Sequence, residues 1–311
     1  MSLGKVLIAA PVHQVLIEGL IAAGYTCELH EHITQVTAYT LVSDCVGVIT
    51  STRLQLDREL IDAAPHLKWI GRMGSGMEVI DVNYAQQRGI LCYSSPEGNC
   101  NAVGEHAMGM LLDLNRRISI SYNEMKQGLW LRNENRGVEL EGKTIGIIGF
   151  GHTGRAFAKK LQGFDMEILV YDKFPVEKVP DYVKKCSDLA PIFEKCDIIS
   201  FHVPFMEDTI HYFNDEFVSS MKKKFTLINT SRGQVVDTVT LLRGIKEGKI
   251  TGACLDVFEE EPLSAMPPEV KAAMHELMNL PVVITTPHIA GYTFEALYKM
   301  SFTLLNKIVA K

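Results

Sequence analysis

No two of the seven cysteines (Cys27, Cys45, Cys92, Cys100, Cys186, Cys196 and Cys254) stand as C-x-x-C. An odd, scattered set frames neither a disulfide network nor a zinc site. They read as buried thiols of a reducing cytoplasm, and no metal is expected. Long apolar runs are missing too. The chain enters Val6-Leu7-Ile8-Ala9-Ala10 within a few residues of Met1, a run too short for a secretory signal and closed by Pro11. No other run reaches the length that spans a bilayer, so a membrane protein is not expected. Basic excess is absent as well. Thirty-one Lys and Arg stand against 37 Asp and Glu, a net charge of −6 that repels a phosphate backbone, and no segment concentrates enough positive charge to reverse it. Nucleic acid is not an expected partner.

What is present is the composition of a soluble globular chain, 47% apolar and 22% charged, with apolar mass for sizeable cores. A length of 311 residues favours two domains. From the start, short apolar runs alternate with longer amphipathic stretches. Val6 to Ala10, Tyr25 to Leu29, Val46 to Ile49, Trp69 to Met73 and Ile90 to Ser94 read as strands. Between them Val12 to Ala23, Ile33 to Leu41, Asp57 to Ala64 and Ile80 to Arg88 repeat apolar residues at helical spacing. Such alternation implies a parallel sheet covered on both faces. A second alternation opens on a long helical stretch from Asn101 to about Lys126. It continues through strands at Thr144 to Ile148, Glu167 to Tyr171, Ile198 to Val203, Phe225 to Asn229, Gly252 to Phe258 and Val282 to Thr285.

The closing stretch from His288 to Lys311 holds one amphipathic helix (Leu297, Met300, Leu304, Leu305, Ile308) and cannot form a core by itself. It must dock on something already built, and the first domain serves if the second is inserted within it. The expected fold class is α/β, with two Rossmann-like or flavodoxin-like domains built on parallel sheets. One domain is discontinuous, residues 1–98 and 288–311, and the other, residues 99–287, is inserted into it. Ligands of open α/β sheets bind beyond the carboxyl ends of strands, so functional residues are sought there.

One strand end carries a glycine turn. Thr144-Ile145-Gly146-Ile147-Ile148 runs into Gly149-Phe150-Gly151-His152-Thr153-Gly154, and a helical stretch from Arg155 follows. The three glycines of a G-x-G-x-x-G turn serve the tight turn, the approach of backbone to a pyrophosphate, and the packing of helix on sheet. The helix start offers unpaired N–H groups to the phosphates. Glycine-rich turns also occur wherever a strand meets a helix, so context decides. Here a second strand, Ile168 to Tyr171, ends in Asp172, about twenty residues beyond the third glycine. A carboxylate there accepts both ribose hydroxyls of an adenosine and repels a 2′-phosphate, so NAD is expected rather than NADP. Taken alone, Asp172 is also an ordinary turn aspartate.

Hydride exchange with NAD needs a proton donor or acceptor near neutral pH and a grip on the substrate. Among ten histidines His288 stands out, in Pro287-His288-Ile289-Ala290-Gly291 after the strand Val282 to Ile284. Alone it would read as a surface histidine. Arg232, in Asn229-Thr230-Ser231-Arg232-Gly233, follows another strand and suits a carboxylate. Glu259-Glu260-Glu261-Pro262 follows a third and offers a carboxylate to orient a histidine, although a triple glutamate alone reads as a solvated acidic turn.

Together the glycine motif with Asp172, the segment 229–237 (Asn-Thr-Ser-Arg-Gly-Gln-Val-Val-Asp), the segment 252–262 (Gly-Ala-Cys-Leu-Asp-Val-Phe-Glu-Glu-Glu-Pro) and the segment 286–291 (Thr-Pro-His-Ile-Ala-Gly) resemble the D-isomer-specific 2-hydroxyacid dehydrogenase family. The phosphoglycerate dehydrogenase branch looks nearest. The resemblance spans essentially the whole chain. It implies a cofactor domain inserted into a discontinuous substrate domain, and NAD-dependent interconversion of a D-2-hydroxy acid and its 2-oxo acid.

By the same resemblance Arg232 would bind the substrate carboxylate, His288 would be the acid/base and Glu261 its partner. Ser75 and Gly76, in Gly74-Ser75-Gly76-Met77, would present backbone N–H groups to the substrate. Gly149, Gly151, His152, Thr153 and Gly154 would lie at the pyrophosphate, and Asp172 at the ribose. Thr230, Ser231 and Asp256 would lie along the nicotinamide, with Gly291 also at the cofactor. The family's dimers form through the cofactor domain, and the stretch from Asn101 to Lys126 with Trp130 and Leu131 suits such an interface, so a homodimer is expected.

Departures from the family pattern fall at Ile49-Thr50-Ser51-Thr52-Arg53, which lacks the usual Arg-Ser order, and at Phe205-Met206 in place of Leu-Thr. They bear on the identity of the substrate. With the sequence ending at Lys311, feedback by serine through an amino-acid-binding extension is not expected. Formate dehydrogenases resemble a pattern with an amide in place of Glu261. The alternative of another class is a nucleotide-sensing, corepressor-like protein on the same fold. The three reacting groups favour an enzyme.

Overall fold

In a computed structural model that describes residues 3–310, contacts group the chain into two compact units, Met1–Asn101 with Tyr292–Lys311, and Ala102–Gly291. Met1, Ser2 and Lys311, where the expected domain bounds begin and end, lie outside the described residues.

The first unit carries β1 (Gly4–Ala9), β2 (Tyr25–Leu29), β3 (Cys45–Thr50), β4 (Trp69–Arg72) and β5 (Leu91–Ser94). They form one parallel sheet in the order β2-β1-β3-β4-β5, the flavodoxin-like arrangement. Val6, Leu7, Ile8 and Ala9 of β1 are all buried, because helices cover both faces and neither side of the strand can be polar. The helix Phe294–Val309 belongs to this unit. Its Leu304 and Ile308 sit in one cluster with Val6, Ile8, Leu16, Leu20 and Trp69. Lys307 fixes its far end, with Nζ 2.8 Å from Glu97 Oε1 and 2.9 Å from the Ser94 carbonyl.

The second unit carries β6 (Thr144–Ile148), β7 (Glu167–Tyr171), β8 (Lys184–Lys185), β9 (Ile198–Phe201), β10 (Phe225–Asn229), β11 (Ile250–Leu255) and β12 (Val283–Thr285). All are parallel, in the order β12-β11-β10-β9-β6-β7-β8. That is the Rossmann order with one strand added at an edge, and it reverses direction between β6 and β9. All five residues of β6 are buried, which its β-branched run makes possible. Polar side chains set where helices begin: Asn214 accepts from the Phe217 amide, and Asp237 from the Thr240 amide.

Two features differ from the sequence reading. The long helical stretch begins earlier, with Pro at its first position, and is two helices, Pro96–Arg116 and Ile118–Lys126. Arg117 breaks it at φ 53, and the Asp113 carboxylate accepts from the Ser119 amide at 2.6 Å to start the second helix. Strand β8 consists of two exposed lysines and has no apolar pattern to announce it.

Candidate active site

The reversal point of the second sheet is where the glycine turn lies. Gly149 follows β6 at φ 90, and a Cβ there would fall 2.5 Å from the His202 carbonyl oxygen, so only glycine lets the turn pass the end of β9. A Cβ on Gly154 would lie 2.2 Å from the Gly149 oxygen, which brings helix His152–Leu161 hard against the turn. Gly151 faces open space and caps that helix without a side chain, leaving its first N–H groups, those of His152 and Thr153 among them, to a ligand.

The groove beside the turn has a volume of about 910 Å³ and is lined by Gly149, Gly151, Arg155, Asp172, Val203 and Tyr212 among others. Asp172 is held at its mouth, accepting from the Phe150 amide at 2.6 Å and the Phe174 amide at 2.9 Å. His202, at the end of β9, is buried beneath. Burial lowers its pKa to about 3, so the ring is neutral, and Nε2 lies 2.8 Å from Ser200 Oγ. Its Nδ1 and the Thr230 hydroxyl are both buried without a partner. An open, uncapped helix start, a cradle of backbone and two orphaned buried polar atoms fit a dinucleotide laid across these strand ends.

Farther along the same edge three residues that the sequence singled out, Arg232, Glu261 and His288, come together. His288, in the loop after β12, has Nδ1 2.6 Å from Glu261 Oε2. Glu261, in the loop after β11, also accepts from the Phe258 amide at 3.0 Å through Oε1. Burial by itself would raise the Glu261 carboxyl. The hydrogen bond and charge of His288, the Phe258 amide and the Arg232 guanidinium outweigh it and hold the carboxyl below its ordinary range. Glu261 is therefore an ionised acceptor, which makes Nδ1 of His288 the donor and leaves Nε2 to exchange a proton. Arg232 follows β10 in a turn that Asn229 ties off. Asn229 accepts from the Ser231 amide and hydroxyl and donates to the Arg232 carbonyl. The guanidinium donates to the Ser231 carbonyl at 2.7 Å. Arg232, Glu261 and His288 thus belong to one unit, on three loops that follow β10, β11 and β12.

Asp256, only 1% exposed, spends its carboxylate on the loop that carries His288. Oδ1 accepts from the Ile289 amide (2.8 Å) and the Thr286 hydroxyl (2.6 Å), and Oδ2 from the Ala290 amide (2.8 Å). Its carbonyl accepts from the His288 amide. His288 needs this support, because it sits at φ 54, a left-handed conformation that side chains other than glycine avoid. His106, on helix Pro96–Arg116, joins the network at 2.9 Å from Thr286 Oγ1 and 3.6 Å from Asp256 Oδ1. Sequence reasoning passed over His106, His202 and His211. The partners of His106 and His211 lie on other elements, and no local spacing reports such pairings. His202 pairs only with Ser200 two residues before it, and its burial at the strand end is what the sequence does not display.

Ser75 and Gly76 lie in the first unit, in the loop after β4. Ser75 is exposed, with Oγ 3.1 Å from Asn99 Oδ1, and Gly74 at φ 140 shapes the turn before it. Arg53 donates to the Glu31 carbonyl at 3.0 Å. Gly291 closes the second unit. Burial raises all seven thiols above their ordinary range, Cys196 up to about 12, which leaves no activated cysteine nucleophile.

A Rossmann-ordered sheet whose glycine turn opens on a groove, with a carboxylate-paired histidine on the same edge, defines the class of dinucleotide-binding oxidoreductases. Comparison with known proteins narrows the class. Residues 108–290 match the family described as D-isomer specific 2-hydroxyacid dehydrogenase, NAD binding domain. A glyoxylate reductase of Thermofilum pendens is 41% identical over 263 residues, 82% of this chain and 75% of that protein. A D-3-phosphoglycerate dehydrogenase of Archaeoglobus fulgidus is 34% identical over 98% of this chain, which spans 56% of that protein's length. The crystal structure of a D-lactate dehydrogenase from Aquifex aeolicus, complexed with NAD and lactic acid, superposes with a TM-score of 0.84 at 28% identity, covering 98% of this chain and 94% of that one. The chain belongs to the D-isomer specific 2-hydroxyacid dehydrogenases, and its second unit is the NAD-binding domain of that family. These relatives lend nothing to the corepressor-like alternative. Among the described residues no helix is long and apolar enough to cross a membrane.

Proposed function

We propose that the chain is an NAD-dependent oxidoreductase that interconverts a D-2-hydroxy acid and its 2-oxo acid. The observation that carries this reading is the Glu261–His288 pair at 2.6 Å, with Arg232 close enough to bear on the Glu261 carboxyl. In the oxidative direction His288 Nε2 takes the proton of the C2 hydroxyl, while Glu261 stabilises the imidazolium that results. Arg232 holds the substrate carboxylate and draws electron density from C2. NAD, when bound, supplies the acceptor or donor of the hydride. Backbone amides of Ser75 and Gly76 hold the substrate as well.

The turn Gly149, Gly151, His152, Thr153 and Gly154 takes the pyrophosphate, and Asp172 takes the adenosine ribose. Thr230 and Ser231, with Asp256 behind them, lie on the nicotinamide side, and Gly291 borders the cofactor. Asp172 makes NAD the preferred cofactor, since its carboxylate would face the 2′-phosphate of NADP. Glyoxylate, hydroxypyruvate, pyruvate and 3-phosphohydroxypyruvate are the candidate 2-oxo acids. Exposed Ile118, Tyr122, Met125, Leu129 and Trp130 favour a homodimer built on that face. Seven unpaired cysteines favour a reducing cytoplasm.

The test is the fall of NADH absorbance with each of the four acids. Turnover of at least one is expected, with the rate ratio among them naming the substrate. NADH binding without turnover on any of them would refute the reading.

A further inference from the structure

Glu259 stands two residues before Glu261 and takes no part in the chemistry above. Its side chain is only 14% exposed. Oε1 accepts from the Thr238 amide at 2.8 Å, and Oε2 lies 2.8 Å from His211 Nε2. Its carbonyl accepts from Gln234 Nε2 at 2.7 Å. His211 is itself fixed, since its amide donates to the Gln234 carbonyl at 2.7 Å and its other ring nitrogen lies 3.9 Å from Asp237 Oδ2. It also stands at φ 47, a conformation that a histidine keeps only where its surroundings hold it. Gly233 closes the arrangement. A Cβ there would lie 1.8 Å from the carbonyl carbon and oxygen of Phe258, so the two loops pass in direct backbone contact.

Three loops therefore meet at one carboxylate. The loop after β9 brings His211. The loop after β10 carries Arg232, Gly233 and Gln234 and leads into the helix that starts at Thr238. The loop after β11 brings both Glu259 and Glu261. Arg232 and Glu261 each stand one or two residues from an atom that Glu259 or its neighbours bind.

We propose that Glu259, paired with His211 and the Thr238 amide, is a positioning residue that sets the spacing between Arg232 and the Glu261–His288 pair. The proposal rests on the dehydrogenase reading. The substrate is gripped at its carboxylate and deprotonated at the neighbouring carbon's hydroxyl. The distance between guanidinium and imidazole therefore decides whether both act on one molecule. A misplacement on the order of 1 Å costs about 10²-fold in rate.

The test compares the wild type with Glu259→Ala and Glu259→Gln, each normalised to NADH-binding sites titrated by fluorescence. In Glu259→Ala, turnover of a 2-oxo acid per site is expected to fall about 10²-fold, with NADH affinity unchanged. The acid limb of its pH–rate profile is expected to move to higher pH, because Glu261 is held down in part by the charge of Arg232. Glu259→Gln keeps an acceptor for the Thr238 amide and a polar partner for His211, and is expected to restore most of the lost turnover. A merely structural role would reduce the number of sites without altering rate per site or the profile, and that result would overturn the proposal. If Glu259→Ala does not fold, Gln234→Ala and His211→Ala, which each remove one tie, are read on the same measurements. A wild type that turns over no 2-oxo acid defeats the dehydrogenase reading itself. An active wild type with an unaffected Glu259→Ala defeats this inference alone.

Discussion

Acid should weaken the second unit through one histidine that takes no part in proton exchange. His202 is enclosed at the end of β9 beside Phe157, at a ring separation of 5.3 Å. Burial sets its pKa at about 3, against 6.5 for the free side chain. The folded-state value is depressed, so the unfolded chain binds a proton that the folded chain refuses. The stability contributed by the neutral ring is complete above pH 6.5 and is lost as pH falls toward about 3. Each pH unit inside that window is worth about 1.4 kcal/mol, so about 2 kcal/mol is gone at pH 5 and roughly 5 kcal/mol over the whole window. His202→Gln keeps a polar partner for Ser200 and removes the titration. The assay is hydrogen exchange of peptides spanning Thr144–Ile148 and Ile198–Phe201 in graded urea, which reads the stability of this unit directly. Between pH 7.5 and 5 the wild type should lose about 2 kcal/mol more than the variant. Carboxylates such as Glu261 titrate in both proteins and cancel. Parallel losses in the two proteins would refute the reasoning, because they would mean that the ring is hydrated or charged in the fold.

Other outcomes follow from the site. His288→Ala should lower turnover by about two to four orders of magnitude while NADH still binds by fluorescence titration, and near-normal turnover would remove the imidazole from the reaction. Asp172→Ser should raise kcat/KM with NADPH relative to NADH, and an unchanged ratio would separate Asp172 from cofactor choice. Asp256→Ala strands the Ile289 and Ala290 amides and should cost at least about 1 to 3 kcal/mol in thermal unfolding, together with a loss of turnover. An active variant of unchanged Tm would show that the His288 loop holds itself. Trp130→Asp should shift the sedimentation of the protein toward the monomer if the exposed apolar face joins two copies, and an unchanged profile would move the interface elsewhere.

Much of the architecture was legible because buried parallel strands are apolar on both faces. Thr144–Ile148, Glu167–Tyr171 and Phe225–Asn229 emerge from the sequence with the bounds they have in the structure. So does Tyr25–Leu29, an edge strand with no fully buried residue, through its alternation with helical stretches. The neighbouring strands shift by one to three residues at the ends, the expected Gly252 to Phe258 being Ile250–Leu255, because fraying makes pattern a weak guide there. Lys184–Lys185 escapes because an exposed pair at a sheet edge has no burial to pattern it. The break at Arg117 escapes because its cause, the Asp113 cap on the next helix, is a side-chain contact that apolar periodicity ignores. The site divides in the same way. Arg232, Glu261 and His288 stand out by following strands in recognisable motifs. The triple glutamate, by contrast, conceals a second histidine-paired carboxylate, the largely buried Glu259, in what reads as a solvated turn. Glu259 and Glu261 each face a histidine far along the chain, His211 and His288, and only the fold brings such partners together.

The left-handed backbone of His288 sets the proposed acid/base of the protein at a point the chain would rather leave to glycine. A residue there that relaxes the turn, such as Gly or Asn, trades chemistry for rest, and such a variant should unfold at a higher temperature than the working protein. Sturdiness and turnover are in that sense opposed at a single residue. A screen for heat resistance alone would drift toward inactive chains at position 288.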